Sequence, residues 1–305
     1  MNLLSYNAQW VLLSTLLLGM AAGVVGVLSY WKRQSLMSDT LSHAALPGVV
    51  LGFIAVGTKQ LPAMLIGAAA SALVGAWLVQ WIRSSSRVKE DAAMGIVLSV
   101  FFGLGIMLLT HANRMPGGGQ SGLDHFIFGQ AASMVRSDVM LLAVLAIIVL
   151  CVVFILFKEW KITLFDSSYA MGLGLSVKSM NIVYTALLVL VIVIGIQAVG
   201  VILIAALMII PAVSARYWTD SFGRMLLLSA SFGGGAGVCG TLISTLGKGW
   251  PTGPFIVVTA AAMFLVSLLL GSSKGLLVVV YQRKRAQHKR GTAIMTEQAV
   301  EGGRG

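Results

Sequence analysis

The sequence predicts an all-α protein that crosses a membrane about nine times. Of its 305 residues, 58% are hydrophobic and only 10% are charged. The apolar residues occur in stretches of about 20, which is the length that a helix needs to cross the hydrocarbon of a bilayer. No polar stretch is long enough for a soluble catalytic domain. We therefore expect one transmembrane domain over residues 1–280, followed by a basic cytoplasmic tail at 281–305.

Each predicted helix corresponds to one apolar stretch. The expected spans are 9–30, 41–58, 61–82, 92–111, 138–157, 181–198, 200–217, 225–246 and 254–272. The two spans between 181 and 217 run almost without interruption, and only Gly195 and Gly200 suggest a break, so eight spans are an alternative. Pro47 and Gly48 interrupt the hydrogen bonds of a helix. An irregular or re-entrant entry into the bilayer is therefore an alternative for residues 35–46.

The basic residues predict the orientation of these spans. With the N-terminus outside and nine crossings, 17 of the 21 lysines and arginines fall in cytoplasmic segments. Such a bias is typical of membrane proteins, whose cytoplasmic loops are enriched in positive charge. The formal net charge of +11 therefore reflects topology and does not indicate binding of nucleic acid. The C-terminus is expected in the cytoplasm.

Asp39 and His43 are the candidate functional residues. Ionisable side chains are costly inside a bilayer, so one that lies there is a candidate for function. Residues four apart lie on the same face of a helix. A carboxylate oxygen and a neutral imidazole nitrogen suit manganese, zinc or ferrous iron, and a two-fold dimer would supply two of each. The alternative is structural: Asp39 caps the start of a helix and His43 is unrelated to it.

Other polar or reactive residues are weaker candidates. Asp124 and His125 are adjacent, so on a helix they point about 100° apart and are poor ligands for one ion. The acids of Lys89-Glu90-Asp91 suit the start of a helix. Cys151 and Cys239 lie in apolar stretches, where we expect them to be buried. The glycines between 233 and 240 are typical of close helix packing. No Walker motif is present, so ATP hydrolysis would require a separate subunit.

Two loops are longer than tight turns. The segment 112–137 is expected outside the membrane. The segment 158–180 is expected inside, and its mixture of apolar and small residues suggests a short helix that lies against another protein.

Four stretches of the chain carry a resemblance to a known family. They begin at Lys32, Glu90, Leu123 and Val199, and read KRQSLMSDTLSHAALPG, EDAAMGI, LDHFIFG and VGVILIAALMIIPA. Together they resemble the membrane permease subunits of bacterial ABC importers for manganese, zinc and iron. The resemblance extends from about Trp10 to Leu277, and the first stretch is the most specific.

The resemblance implies a fold, partners and a site. The fold should be that of the vitamin-importer class of ABC permeases. Two permeases, identical or paralogous, should pair, each on one cytoplasmic ATPase subunit, and an extracytoplasmic metal-binding protein should deliver the ion. Asp39 and His43 match the residues that line the metal path in the family. The region of the ATPase contact matches Phe165, Asp166, Gly172 and Gly174.

The expected function is therefore transport of a divalent metal ion across the bacterial cell membrane. Manganese is preferred over zinc and iron, because the site offers oxygen and nitrogen without cysteine. No permanently bound cofactor is expected, and ATP would bind to the partner subunit. A proton-coupled secondary metal transporter is an alternative, although it would need more intramembrane acids than Asp39. A membrane scaffold or sensor without transport is a further alternative.

Overall fold

The computed structural model describes residues 6–57, 60–114, 129, 136–247 and 250–278. Within these residues every regular element is a helix. We number the helices in chain order as α1 (Tyr6–Trp31), α2 (Ser35–Val56), α3 (Leu61–Ser85), α4 (Glu90–Arg114), α5 (Arg136–Ile155), α6 (Phe157–Phe165), α7 (Ser167–Gly172), α8 (Val177–Ala198), α9 (Val201–Trp218), α10 (Phe222–Leu246) and α11 (Thr252–Leu270).

Nine of the described helices are long and apolar enough to cross a membrane. They are α1 to α5 and α8 to α11, so the predicted polytopic fold is confirmed. The predicted tail at 281–305 and the pair Asp124 and His125 lie outside the described residues.

The start of α2 differs from the predicted span. We expected a span from residue 41, with an irregular entry before it as an alternative, but α2 is one helix from Ser35 to Val56 with Pro47 inside it. The polar residues near Asp39 lower the local hydropathy, which moved the predicted start inward. Proline is tolerated within a membrane helix where neighbouring helices enclose it, and Pro47 is buried.

The break between α8 and α9 falls at Gly200. Its φ of 99° and ψ of 161° cannot continue a helix and are accessible mainly to glycine. Gly195, the other proposed break, remains inside α8. A Cβ atom on Gly195 would lie 2.2 Å from Cδ1 of Ile204, so this glycine is needed for close contact between the two helices. Nine spans, rather than eight, follow from this break.

The helices pack as two groups joined at the centre of the bundle. α1 packs mainly on α10, and α9, α10 and α11 contact one another. α2 packs mainly on α3 and α4, while α8 contacts both groups through α1 and α3. Glycines allow the closest approaches, since the carbonyl oxygen of Gly233 occupies the position that a Cβ on Gly19 would need. The predicted packing role of the glycine-rich α10 is confirmed.

The two cysteines do not lie in the core. We expected both to be buried, but Cys151 on α5 and Cys239 on α10 are exposed on the helix surfaces. That expectation was wrong because a span that is apolar all round gives no sequence signal for the face that packs inward.

Candidate functional site

Asp39 and His43 lie on one face of α2, in the first half of the helix. From residue 37 to residue 50 they are the only two residues that are not buried. The exposed fraction of the side chain is 38% for Asp39 and 14% for His43. Their neighbours Ser38, Thr40 and Ser42 are buried, so the residues around the pair face protein.

The two side chains point toward each other. His43 Nε2 lies 3.5 Å from Asp39 Oδ1. Two ligands that bind one zinc ion at about 2.1 Å each, with tetrahedral geometry, are about 3.4 Å apart. The observed separation therefore fits two ligands of a single divalent ion without rearrangement of α2.

Only part of the hydrogen-bonding capacity of the His43 imidazole is used. Its ring lies edge-on against Phe102 of α4, with ring centroids 4.9 Å apart. Its Nδ1 is buried and has no hydrogen-bond partner within the described part of the chain. Buried polar atoms nearly always have a partner, and a histidine that binds a metal usually donates from its second nitrogen. Within the described residues, this imidazole therefore has Asp39 beside Nε2 and no partner at Nδ1.

The hydroxyl groups beside the pair are already used by the helix. Ser42 Oγ donates to the Asp39 carbonyl at 2.8 Å, and Thr40 Oγ1 donates to the Leu36 carbonyl at 3.0 Å. Such bonds to the preceding turn direct the hydroxyls along the backbone and away from the site. In the residues that the structure describes, no group of three or more histidine, cysteine or acidic side chains is assembled. Asp39 and His43 therefore bring together two candidate ligands, which we call the half-site.

Pro47 removes one backbone hydrogen bond of α2 close to the half-site. Residue 47 would normally donate its N–H to the carbonyl of His43, but proline has no N–H. The residues behind this turn hold it in place: Ser71 Oγ of α3 donates to the Ala44 carbonyl at 2.6 Å, and Gly48 contacts Gly67 directly. None of these contacts was predicted from the sequence, because Ser71, Gly67 and Phe102 are far from α2 in the chain.

The predicted cytoplasmic segment forms the two short helices α6 and α7. Asp166 caps α7, since its Oδ1 accepts a hydrogen bond from the Tyr169 N–H at 2.8 Å. Gly174 has a φ of +80°, which turns the chain after α7. Trp160 is fully buried and anchors α6 to the bundle. The predicted short helix is confirmed, and Asp166 has a structural role within it.

An apolar surface lies on this segment. Phe165 is 53% exposed, although its ring also contacts Trp31 at a centroid distance of 4.7 Å. Tyr169, Met171 and Leu173 are exposed to similar degrees. Gly172 and Gly174 have open space where a Cβ would lie. We call Phe165, Tyr169, Met171 and Leu173 the α6–α7 surface.

A polar cluster that the sequence did not reveal lies beside the start of α2. Arg83 of α3 pairs with Glu90 of α4 at 3.2 Å, and Gln34 also donates to Glu90. Lys32 donates to Asn181 and lies over the ring of Tyr184. Burial lowers the pKa of Lys32 to about 8; Glu90 opposes this shift and Arg83 adds to it. The only sequence signal was the position of charged residues next to the ends of spans.

The same end of the bundle holds most of the loops that are rich in lysine and arginine, which the sequence predicts to be cytoplasmic. Arg216 lies over the ring of Trp31, and both Arg216 and Lys274 contact Asp220. A hydrogen bond from Ser273 and the nearby cations lower the pKa of Asp220. At the opposite end, Arg136 lies over Trp10.

Two stretches that carried the family resemblance meet in the fold. A Cβ on Gly129 would lie 2.3 Å from the carbonyl carbon of Val199, at the break between α8 and α9. Gly129 has a φ of +78°. The approach therefore requires glycine both for the backbone conformation and for space.

Comparison with known proteins identifies similar chains over most of the length. The sequence model described as "ABC 3 transport family" matches residues 5–271. The chain is 48% identical to the manganese transport system membrane protein MntC of Bacillus subtilis over 270 residues, which cover 88% of this chain and 62% of that protein. The chain thus spans less than two thirds of the length of that relative.

Two further matches cover their counterparts more fully. The zinc transport system membrane protein TroC of Treponema pallidum is 42% identical over 280 residues, covering 92% of this chain and 94% of that protein. The solved structure of PsaBC from Streptococcus pneumoniae in complex with Fab aligns with a TM-score of 0.78 at 34% identity. That alignment covers 88% of this chain and 94% of the matched chain.

Proposed function

The chain belongs to the ABC 3 transport family, and on that basis we propose that it is the membrane permease subunit of an ATP-driven importer of divalent metal ions. Manganese is the preferred cargo, and zinc or ferrous iron are the alternatives. The names of the relatives support this class, since one is a manganese and another a zinc transport membrane protein. Without a cysteine near Asp39 and His43, the oxygen and nitrogen donors favour manganese.

The observation that carries the proposal is the half-site on α2. Two protomers related by a two-fold axis would bring two copies of Asp39 and two of His43 to one ion. The two carboxylates would balance the charge of the dication, which lowers the cost of holding it within the bilayer. The 3.5 Å separation of Asp39 Oδ1 and His43 Nε2 supports this arrangement.

The mechanism follows from a site shared between two chains. A rocking motion of the two permeases, driven by ATP on a separate subunit, would expose the site to one side of the membrane and then to the other. Binding has to be weak enough for release, as in any conducting site. A half-site with two ligands per chain suits this requirement, because separation of the protomers removes half of the ligands at once.

We propose that the chain lies in the bacterial cell membrane with its N-terminus outside and its C-terminus in the cytoplasm. The support for this orientation is the charge count together with the grouping of the basic loops at one end of the bundle. The α6–α7 surface lies on a segment of that end, and its exposed apolar side chains suit a groove on an ATPase subunit. On the opposite side a metal-binding protein would deliver the ion.

Transport by the purified complex tests the proposed function. The permease, its ATPase subunit and the metal-binding protein are reconstituted in liposomes, and uptake of manganese, zinc and ferrous iron is measured with and without ATP. We expect uptake only with ATP, with manganese the fastest. Uptake that follows an imposed proton gradient without ATP would instead favour a secondary transporter.

Replacement of Phe165 should uncouple the permease from ATP hydrolysis. Phe165→Ala removes the largest apolar side chain of the α6–α7 surface, so we expect weaker co-purification with the ATPase and loss of transport-stimulated hydrolysis. Phe165 also contacts Trp31, so its loss could disturb the fold. Met171→Asp therefore tests the same surface at a residue outside this ring contact. Ile182→Ala, at an exposed position on α8, is the control and should behave as wild type. Unchanged hydrolysis in both surface variants would contradict this assignment.

Metal binding should weaken as the pH falls. An imidazole must be neutral, and a carboxylate ionised, to bind a metal, so protons compete with the ion at both ligands. The measurement is manganese binding to the purified permease–ATPase complex, without the delivery protein, across the acidic range. His43→Gln keeps a polar side chain but removes the titrating imidazole, and should have a flatter profile. An identical profile in wild type and variant would exclude His43 as a ligand.

A further inference from the structure

A crevice between α3 and α8 contains two cavities of opposite character. The first, of about 500 Å³, is polar and is lined by Lys32, Gln80, Arg83, Asn181 and Tyr184 among others. The second, of about 240 Å³, is lined only by apolar residues, including Ala69, Leu73, Leu145, Val189 and Val193. We refer to the two together as the α3–α8 crevice. Both cavities are lined by α3 and α8 but at successive turns, so they lie one above the other along these helices.

The spacing of the cavities matches one leaflet of a bilayer. Arg83 and Leu73 are ten residues apart on α3, which is about 15 Å along a helix. The hydrocarbon core of a bilayer is about 30 Å thick, so each leaflet contributes about 15 Å. Trp77 is exposed and lies one turn from both Leu73 and Gln80, on α3 between the two cavities. The polar cavity is thus at headgroup depth when the apolar one is near the bilayer midplane.

The charge of the polar cavity favours an anion. It holds the cations Lys32 and Arg83 against one carboxylate, Glu90, which is paired with Arg83. Among the described residues no carboxylate lies within ion-pair distance of Lys32, whose partners are Asn181 and the Tyr184 ring. Burial already disfavours the charged form of this lysine and lowers its pKa. A phosphate beside Lys32 would favour the ammonium form and oppose this shift.

The crevice faces away from the proposed metal site. Met37 lines the polar cavity, and Asp39 is two residues further along α2. Side chains two residues apart on a helix point about 160° apart. A partner permease that binds at Asp39 would therefore leave the α3–α8 crevice on the far side of α2, where lipid is the surrounding medium.

We propose that the α3–α8 crevice binds one anionic phospholipid, with its phosphate between Lys32 and Arg83 and one acyl chain along Trp77 into the apolar cavity. Neither end alone specifies this ligand, because a basic pocket binds any anion and an apolar groove any chain. A polar cavity and an apolar cavity about 15 Å apart fit the headgroup and the acyl chain of a phospholipid. The positive charge of the polar cavity favours an anionic headgroup. The bound lipid would hold α3 against α8, two helices that join the groups of the bundle.

The ligand chemistry can be tested by native mass spectrometry of the purified permease–ATPase complex. The complex is stripped of lipid and titrated with dioleoylphosphatidylglycerol, dioleoylphosphatidylcholine or glycerol 3-phosphate. We expect one tightly bound phosphatidylglycerol per permease, and weaker binding of the other two. Equal binding of phosphatidylcholine would overturn the role of charge. Binding of glycerol 3-phosphate as tight as that of the lipid would show an anion site without a chain site.

Two pairs of variants test the location of the lipid. Lys32→Ala should weaken phosphatidylglycerol binding roughly fivefold, as expected for one basic residue near a lipid headgroup. Arg87→Ala, an exposed cation outside the crevice, is its control.

Ala69→Phe should fill the apolar cavity and abolish binding, whereas Ala70→Phe, on the adjacent exposed position, should not. The Ala69 variant keeps every charge, so it separates the lipid from a general effect of net charge. Binding that is unchanged in both Lys32→Ala and Ala69→Phe would place the lipid elsewhere and overturn the proposal.

Discussion

Uptake of radiolabelled manganese should fall to background in both Asp39→Asn and His43→Ala. Each change removes one proposed ligand from each protomer, so a dimer loses two of its four ligands. Asparagine keeps the shape of aspartate but lacks the charge that balances the dication. Neither side chain is needed for insertion, because the apolar residues of α2 drive it and both Asp39 and His43 keep part of their surface outside the core. Expression and assembly with the ATPase should therefore be retained.

Matched controls separate a ligand role from a general effect of charge. Asp91→Asn changes a carboxylate in the first turn of α4, and His111→Ala changes a histidine in its last turn. Both controls should transport as wild type. The assay is initial uptake in membrane vesicles, normalised to the amount of assembled complex. Wild-type uptake by both site variants would refute the half-site, whereas loss in one alone would reduce it to a single ligand.

The transmembrane spans could be predicted from the sequence because one physical requirement determines them. About 20 apolar residues are needed to cross the hydrocarbon, and nine stretches satisfy that requirement. The start of the second span was predicted at residue 41 instead of 35, and this error also comes from hydropathy. Hydropathy moved the start of the span inward past Asp39, although the helix itself begins at Ser35. Polar residues near the start of a span thus mask part of the helix that carries them.

The pair Asp39 and His43 was predictable because it is local. Four-residue spacing on a helix brings two side chains together regardless of the rest of the fold, and the observed 3.5 Å agrees. The ring of Phe102, the neighbours of Nδ1 and the polar cluster of Lys32 and Glu90 were not predictable. They join residues from different helices, and their proximity depends on how α2, α4 and α8 pack.

The depth at which α2 packs on α3 determines where the half-site lies. Gly48 and Gly67 meet backbone to backbone, and a Cβ added to Gly48 would lie 2.0 Å from the carbonyl oxygen of Gly67. Gly48 follows Pro47 directly and is five residues from His43. Any separation of the two helices at this point would therefore also move His43 relative to Phe102. Small residues at such contacts are what allows membrane helices to pack closely.

Gly48→Ala should therefore destabilise the permease and impair transport together. A methyl group in this position cannot be accommodated by a side-chain rotation, because the atoms it meets belong to the backbone. Overpacking of this kind typically costs about 1–3 kcal/mol. Gly103→Ala is the matched control, since it is also a glycine within a helix but has open space at the Cβ position. The measurements are thermal stability in detergent and initial manganese uptake. We expect a lowered midpoint and reduced uptake for Gly48→Ala, and neither for Gly103→Ala. A Gly48 variant that matches the control in both measurements would show that the α2–α3 contact is looser than the structure places it.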